Sequence, residues 1–448
     1  MIHRFALLFA LILALAAAPQ SASADAAAAP ASSPDEMLAE DVLVELPEAP
    51  KQPGARGTML GIPLIVVAPF AGTAAMPDEG AAAGFGVAAR LVDDYYRLKS
   101  VRAVTMETLA KAAGGKFLES PGISAQDALI PVAKSLGANY AVTGVVNLKS
   151  SFADVSATVF DMEGKAVVSA SAGGSQSLLP ALVSEISFKL LAGIGAALTD
   201  AERDYLDQGE PYSVDSWLLC NQGLRIVTAM QGGIETTKEQ RKAAKDALDK
   251  CLKQSPDYLR ARDALGRLHF AEAEYEKARS VFTELSTRSP KYAPARFYLG
   301  VIAYREGKIA AAKKELGRAV ELDSGDPASW LYYGLAQIAD GQPASAEQSL
   351  RQGLKLSPDG VELRFALGRS LMLQERYSEA AEEFEKVVLV RPQTASAQYN
   401  LGLCYYRIRD FSKAERHFRI YLDLTPGDPE GDHAKVKEWI AAMNGELD

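Results

Sequence analysis

The sequence predicts an α/β layered domain followed by an all-α superhelical solenoid. Two observations carry this. From Gly61 to about Leu198, short apolar runs in strand period alternate with amphipathic helical stretches. Beyond them five glycines, Gly266, Gly300, Gly334, Gly368 and Gly402, recur at a constant spacing of 34 residues, the mark of a stacked helical repeat.

The chain has 448 residues, enough for two or three domains with cores of their own. Met1-Ile-His-Arg4, the apolar run Phe5 to Ala18 and Ala22-Ser-Ala24 together read as a secretory signal peptide, residues 1–24, cleaved after Ala24. The run falls short of the about 20 residues that a membrane span needs, so no integral span is expected after cleavage. Residues 25–58 are rich in Ala, Pro, Ser and acids, and read as a disordered linker.

The α/β domain is expected over 59–200. Ile62 to Phe70 is a continuous apolar run, the pattern of a buried strand. A helix follows over about Ala82–Leu98, with Val87, Leu91, Tyr95 and Leu98 on one face. Val101–Thr105 is the next strand, and a helix over Ala125–Leu136 ends against Gly137 as its cap. Asn139–Leu148, Phe152–Phe160 and Lys165–Ala172 are three further strands, with Met162-Glu-Gly-Lys165 as a hairpin turn in which Gly supplies the positive φ. A last helix covers about Leu178–Leu198.

Val67-Ala-Pro-Phe-Ala-Gly72, Leu136-Gly-Ala-Asn-Tyr-Ala-Val-Thr-Gly-Val-Val146 and the strands around Asp161-Met-Glu-Gly164 make residues 61–198 similar to the TolB amino-terminal-like domain. The resemblance implies a periplasmic, protein-binding module of a Gram-negative type of envelope. TolB continues into a β-propeller and this chain continues into helices, so binding of the peptidoglycan-associated lipoprotein does not carry over.

Residues 201–258 read as an atypical bridging repeat: Val214-Asp-Ser-Trp217 opens a helix, Ala244, Leu248 and Pro256 fit a second, and the loop Gly232–Thr237 lengthens the hairpin. Trp217 is expected to anchor a core. Over 259–428 the glycine register is shared by Ala278, Ala312, Ala346, Ala380 and Ala414, and by Pro256, Pro290, Pro358, Pro392 and Pro426, with Ser324 where one more proline was due. Phe282, Leu316, Leu350, Phe384 and Phe418 follow each alanine by one helical turn. Small residues let two helices approach and proline ends the second, so these five units resemble tetratricopeptide (TPR) repeats. Residues 429–448 are expected to form a capping helix carrying Ala434, Trp439 and Ile440.

Composition narrows the function. The net charge is −9, or −10 once Arg4 leaves with the signal peptide, which disfavours nucleic acid as a partner. Three cysteines, Cys220, Cys251 and Cys404, cannot form a disulfide scaffold. Cys220 and Cys251 read as small buried apolar residues, with a bridge as the lesser alternative. The histidines show no ligand spacing, so no metal is expected. Ala113-Gly-Gly-Lys116 lacks the hydroxyl and preceding strand of a phosphate loop, and Gly173-Gly-Ser-Gln-Ser177 lacks a nucleophile elbow. Asp93-Asp94 reads as a solvated helix face. No enzyme and no cofactor are expected.

Binding is the remaining class. The TPR resemblance implies that each unit's first helix lines a concave groove through its second, fifth, ninth and twelfth positions. These give Arg260, Arg267 and Phe270; Phe297, Val301 and Tyr304; Leu331, Leu335 and Ile338; Phe365, Arg369 and Met372; and Tyr399, Leu403 and Tyr406. Aromatic and Arg side chains are the types that form binding hot spots, and the groove suits an extended peptide or helix with apolar anchors and some acid. Only Asn400 fits the Lys/Asn clamp that some relatives use on a C-terminal carboxylate. The expectation is a periplasmic, non-catalytic adaptor for protein partners in the cell envelope. The alternatives are a regulatory activator of a cell-wall enzyme and a component of an outer-membrane export or motility assembly.

Overall fold

The computed structural model describes residues 62–113, 128–207, 212–426 and 432–447. The expected signal peptide, linker and most of the Ala113–Lys116 stretch lie outside them. Among the described residues no helix is long and apolar enough to cross a membrane.

The first part is a six-stranded mixed sheet. In chain order its elements are β1 (Leu64–Val67), β2 (Ala71–Thr73), α1 (Pro77–Arg97), β3 (Arg102–Ala103), α2 (Met106–Ala112), α3 (Ile130–Ser135), β4 (Tyr140–Lys149), β5 (Phe152–Phe160), β6 (Ala166–Ser175) and α4 (Leu179–Gly193). The strands lie in the order β3-β1-β4-β5-β6, with β2 also on β4. Pairings among β1, β2, β3 and β4 are parallel, and β4-β5-β6 is an antiparallel meander.

The strand expected over Ile62–Phe70 stops at Val67, and a second strand, β2, begins at Ala71. Pro69 has no N–H for the ladder, and the Phe70 N–H leaves the sheet to donate to the Gly84 carbonyl at 3.1 Å. Phe70 itself is fully buried. The short helix α2, capped by the Thr105 hydroxyl, is an element that the sequence pattern did not reveal. The helix expected to Leu198 ends at Gly193. The turn at Gly164 (φ +83°) and the helix stop at Gly137 (φ +68°) stand where expected.

Alternation sorts the strands into two cores. Ile65, Val67, Val142, Val146, Val155 and Val159 face α1 and α4, whereas Leu64, Val66 and Ala141 face α2 and α3. On the side away from α1 and α4, Phe152 and Val167 are exposed.

A short helix α5 (Asp200–Asp207) leads to the bridging hairpin α6 (Val214–Gln231) and α7 (Lys238–Gln254), which starts on a full capping box at Thr237 and Gln240. The core around α1 and α4 continues without a break through Trp217, Leu224 and Leu248 to Ala261, Ala264 and Leu268. Trp217 is 1% exposed, and a Cβ on Gly86 of α1 would meet its ring at 2.6 Å. It is the anchor expected from the sequence, and the close approach at Gly86 lets α6 lie on the α/β layer. Cys220, Cys251 and Cys404 are buried and take part in no disulfide.

Five helix pairs complete the solenoid: α8 (Leu259–Ala271) with α9 (Tyr275–Arg288), α10 (Ala293–Arg305) with α11 (Ile309–Leu322), α12 (Pro327–Ala339) with α13 (Pro343–Leu356), α14 (Val361–Met372) with α15 (Tyr377–Val390), and α16 (Ala395–Arg407) with α17 (Phe411–Leu424). The helix α18 (Asp432–Leu447) packs on α17. The glycine register has a direct cause. A Cβ on Gly266, Gly300, Gly334, Gly368 or Gly402 would meet Phe282, Leu316, Leu350, Phe384 or Phe418 at 2.5–2.7 Å. The residues that share the 34-residue step are therefore the two sides of one contact.

Candidate functional site

The first helices α8, α10, α12, α14 and α16 carry the expected groove residues, and the structure divides these into three groups. Near the amino-terminal end the groove meets the α/β domain. Arg267 is buried with its Nη1 2.8 Å from Gln231 Oε1 and 3.3 Å from Glu107 Oε1 on α2, and its Nε lies 2.9 Å from Asp263 Oδ2. Gln231 in turn donates to the Tyr298 hydroxyl at 2.8 Å. Burial works against the Arg267 charge, but Asp263, Tyr298 and Glu107 outweigh it and hold the guanidinium protonated. Burial raises the Asp263 carboxyl, opposed by Arg267. Closer to solvent, Arg260 pairs with Asp93 of α1 at 3.2 Å. Arg260 and Arg267, expected to await a partner, are engaged by their own chain.

Asp94 corrects a second expectation. It is fully buried, not solvated, with Arg90 Nε donating to it at 2.8 Å. Burial pushes its carboxyl up to about 6 against the pull of Arg90.

At the carboxy-terminal end, Tyr406 is covered by Trp439 of α18, the rings stacked at 6.1 Å, and Trp439 also lies 5.7 Å from Phe418. Asn400 is buried and donates one amide hydrogen to the Ser396 carbonyl at 2.9 Å, so its side chain is not presented to a terminal carboxylate in the groove.

Between the ends, Phe270, Phe297, Val301, Leu331, Leu335, Phe365, Met372, Tyr399 and Leu403 are buried and pack between helices. Phe297 stands edge-on to Tyr298 and Tyr332, and Phe365 to Phe384. Tyr304, Ile338 and Arg369 remain half-buried. Burial lowers Arg369 and the Tyr304 phenol alone offsets it, while the Tyr304 hydroxyl is itself raised by burial and eased by Arg369. The two side chains therefore sense each other although they belong to the second and fourth units.

The spacing pattern overlooked Asp263, which occupies the fifth position of the first unit and could have been read from the same register. Glu107 and Gln231 lie outside the repeats and carry no such signal. It also overlooked that His269, Glu272 and Glu274 bring ligand atoms within 4.8 Å of one another. Each already has a partner there: His269 Nδ1 is 2.6 Å from Glu274 Oε2, Glu274 Oε1 is 2.6 Å from Lys277, and Glu272 is 3.2 Å from Arg241. The cluster works as an ion-pair network at the α8–α9 turn.

The tetratricopeptide repeat family profile matches residues 264–327, 299–361, 334–390 and 365–429. The solenoid is built of tetratricopeptide repeats. An Arabidopsis thaliana protein, the CTR9 homolog, is 26% identical over 114 residues, which is 25% of this chain and 10% of that relative's length. Among solved structures, YrrB, a TPR protein with an unusual peptide-binding site, is 21% identical, covering 43% of this chain and 97% of its own, with a TM-score of 0.39. Pseudomonas aeruginosa pilF is 17% identical, covering 51% and 97%, with a TM-score of 0.42. TPR arrays are protein-interaction scaffolds, and the solenoid falls in that class.

Proposed function

We propose that the protein is a periplasmic, non-catalytic adaptor. It holds one protein partner at the centre of the TPR concave surface and a second envelope component on its α/β domain, which we take to be TolB-like. Joining two partners on one chain raises their mutual effective concentration to about millimolar without any contact between them. The observation that supports this reading is the division of the groove: at its two ends Arg267 meets Glu107 and Tyr406 meets Trp439 of the chain itself, and Tyr304, Ile338 and Arg369 stay half-buried between them.

The test is site-specific photo-crosslinking in the native host. The full chain carries p-benzoylphenylalanine at position 338 in one case and at position 389 in the other, where Leu389 is 84% exposed away from the groove. The expected result is a discrete envelope protein joined to position 338 and absent from position 389. The same species at both positions, or none at 338, removes the groove from the function. Recovery of the adduct in the cytoplasmic fraction would end the periplasmic reading.

A further inference from the structure

Most half-buried and buried arginines of the solenoid meet a carboxylate; Arg305, which does not, donates to the Tyr275 hydroxyl and lies over the Phe270 ring, and Arg407 lies over the Tyr377 ring, whereas Arg369 has no such contact among the described residues. Arg262 pairs with Glu284, Arg267 with Glu107 and Asp263, Arg279 with Glu306, Arg296 with Glu315, and Arg364 with Glu383. Arg369 has no carboxylate and no hydrogen-bond acceptor among the described residues, and its one electrostatic neighbour is the Tyr304 phenol. A guanidinium drawn out of water without a counter-charge is costly, and a carboxylate brought to it by another molecule would relieve that cost. The planar fork of Arg matches a carboxylate with two parallel hydrogen bonds. Tyr304 offers it an aromatic neighbour, Ile338 stands half-buried at the last groove position of the unit between them, and Asn400 is buried and bonded within its own helix.

We infer that Arg369 is the specificity-determining residue of the central groove, receiving the acidic side chain of a peptide segment that places an apolar side chain next to it. This rests on the adaptor reading and names the partner's chemistry. The acid is internal to the segment, not a chain terminus.

The experiment is selection of the full chain on a random octapeptide bead library, half with amidated and half with free C-termini. Wild type is expected to enrich Asp or Glu at one internal position beside an apolar residue in both halves. Arg369→Glu is expected to exchange that preference for Lys or Arg, and Arg369→Met to lose it with affinity for the selected peptides falling roughly ten- to a hundredfold. Arg369→Lys, retaining the charge without the fork, should keep the acid preference at reduced affinity, and covers the case in which another variant fails to fold. Enrichment without an acidic preference overturns the role of Arg369 while leaving the groove reading intact. Enrichment confined to free C-termini overturns the internal acid. If wild type enriches nothing beyond what the chain with Ile338→Trp enriches, the groove reading falls as well.

Discussion

The first and fourth repeats carry an arginine at the same position of the same helix, and the two have opposite circumstances. Arg267 is buried among Glu107, Asp263 and Gln231, and Arg369 is half-buried near Tyr304 with no carboxylate partner among the described residues. The repeat decides where such a side chain points. What it meets there is decided by the rest of the chain. At the first unit the α/β domain supplies the counter-charge, so an arginine in a binding position becomes part of a domain junction. At the fourth nothing in the described chain supplies it, and the position stays available.

The largest effect should separate these two arginines. Removing one partner of a buried charge network strands the others, at a cost of about 3–5 kcal/mol. Arg267→Met should lower the urea stability of the full chain by that amount. Arg369→Met removes a charge without a counter-charge and strands nothing, so it should leave stability unchanged or raise it. Equal losses would mean that Arg369 has a structural partner and would erase the distinction.

A second test uses pH at the same junction. The folded pKa of Asp94, about 6, lies above the ordinary carboxylate value of 3.8, because burial outweighs the pull of Arg90. A carboxyl raised in this way adds stability that is fully present below about pH 4 and is lost as pH rises through about 6. The contribution is on the order of 3 kcal/mol at about 1.4 kcal/mol for each pKa unit. Asp94→Asn should flatten the stability profile between those pH values, measured by denaturation at closely spaced pH. An unchanged slope would place the titration elsewhere. Arg369→Met should leave this slope untouched.

How much of this could be read from the sequence follows from distance along the chain. The glycine register was legible because Gly266 and Phe282 touch within one helix pair, and the contact repeats every 34 residues. Trp217 was legible as an anchor because a large apolar residue opening an atypical hairpin has few places to go. The closing of the groove was not legible: Glu107 meets Arg267 from 160 residues away, in a short helix whose seven residues give too little periodicity to register. Asp94 misled for a related reason. Two adjacent carboxylates on a helix point in different directions, and the sequence does not show that only one of those directions leads into the core. Phe297 and Phe365 stand at groove positions by register, yet neighbouring aromatic rings cover them, which no count along one helix reveals.

The smallest effect completes the comparison within the junction itself. Arg260 and Asp93 tie the same two domains as Arg267 and Glu107, but the Asp93 side chain is 49% exposed. Water already solvates that carboxylate, so pairing changes its energy little, and exposed pairs are worth about 0–1 kcal/mol. Asp93→Asn should therefore lower urea stability by no more than that, and the difference should shrink further in about 1 M salt, where screening acts over about 3 Å. A loss comparable to that of Arg267→Met would show the junction to be one cooperative charge cluster reaching to the surface. A small, salt-sensitive loss would show that the buried arginine alone holds the end of the groove closed, leaving the rim charges free to vary.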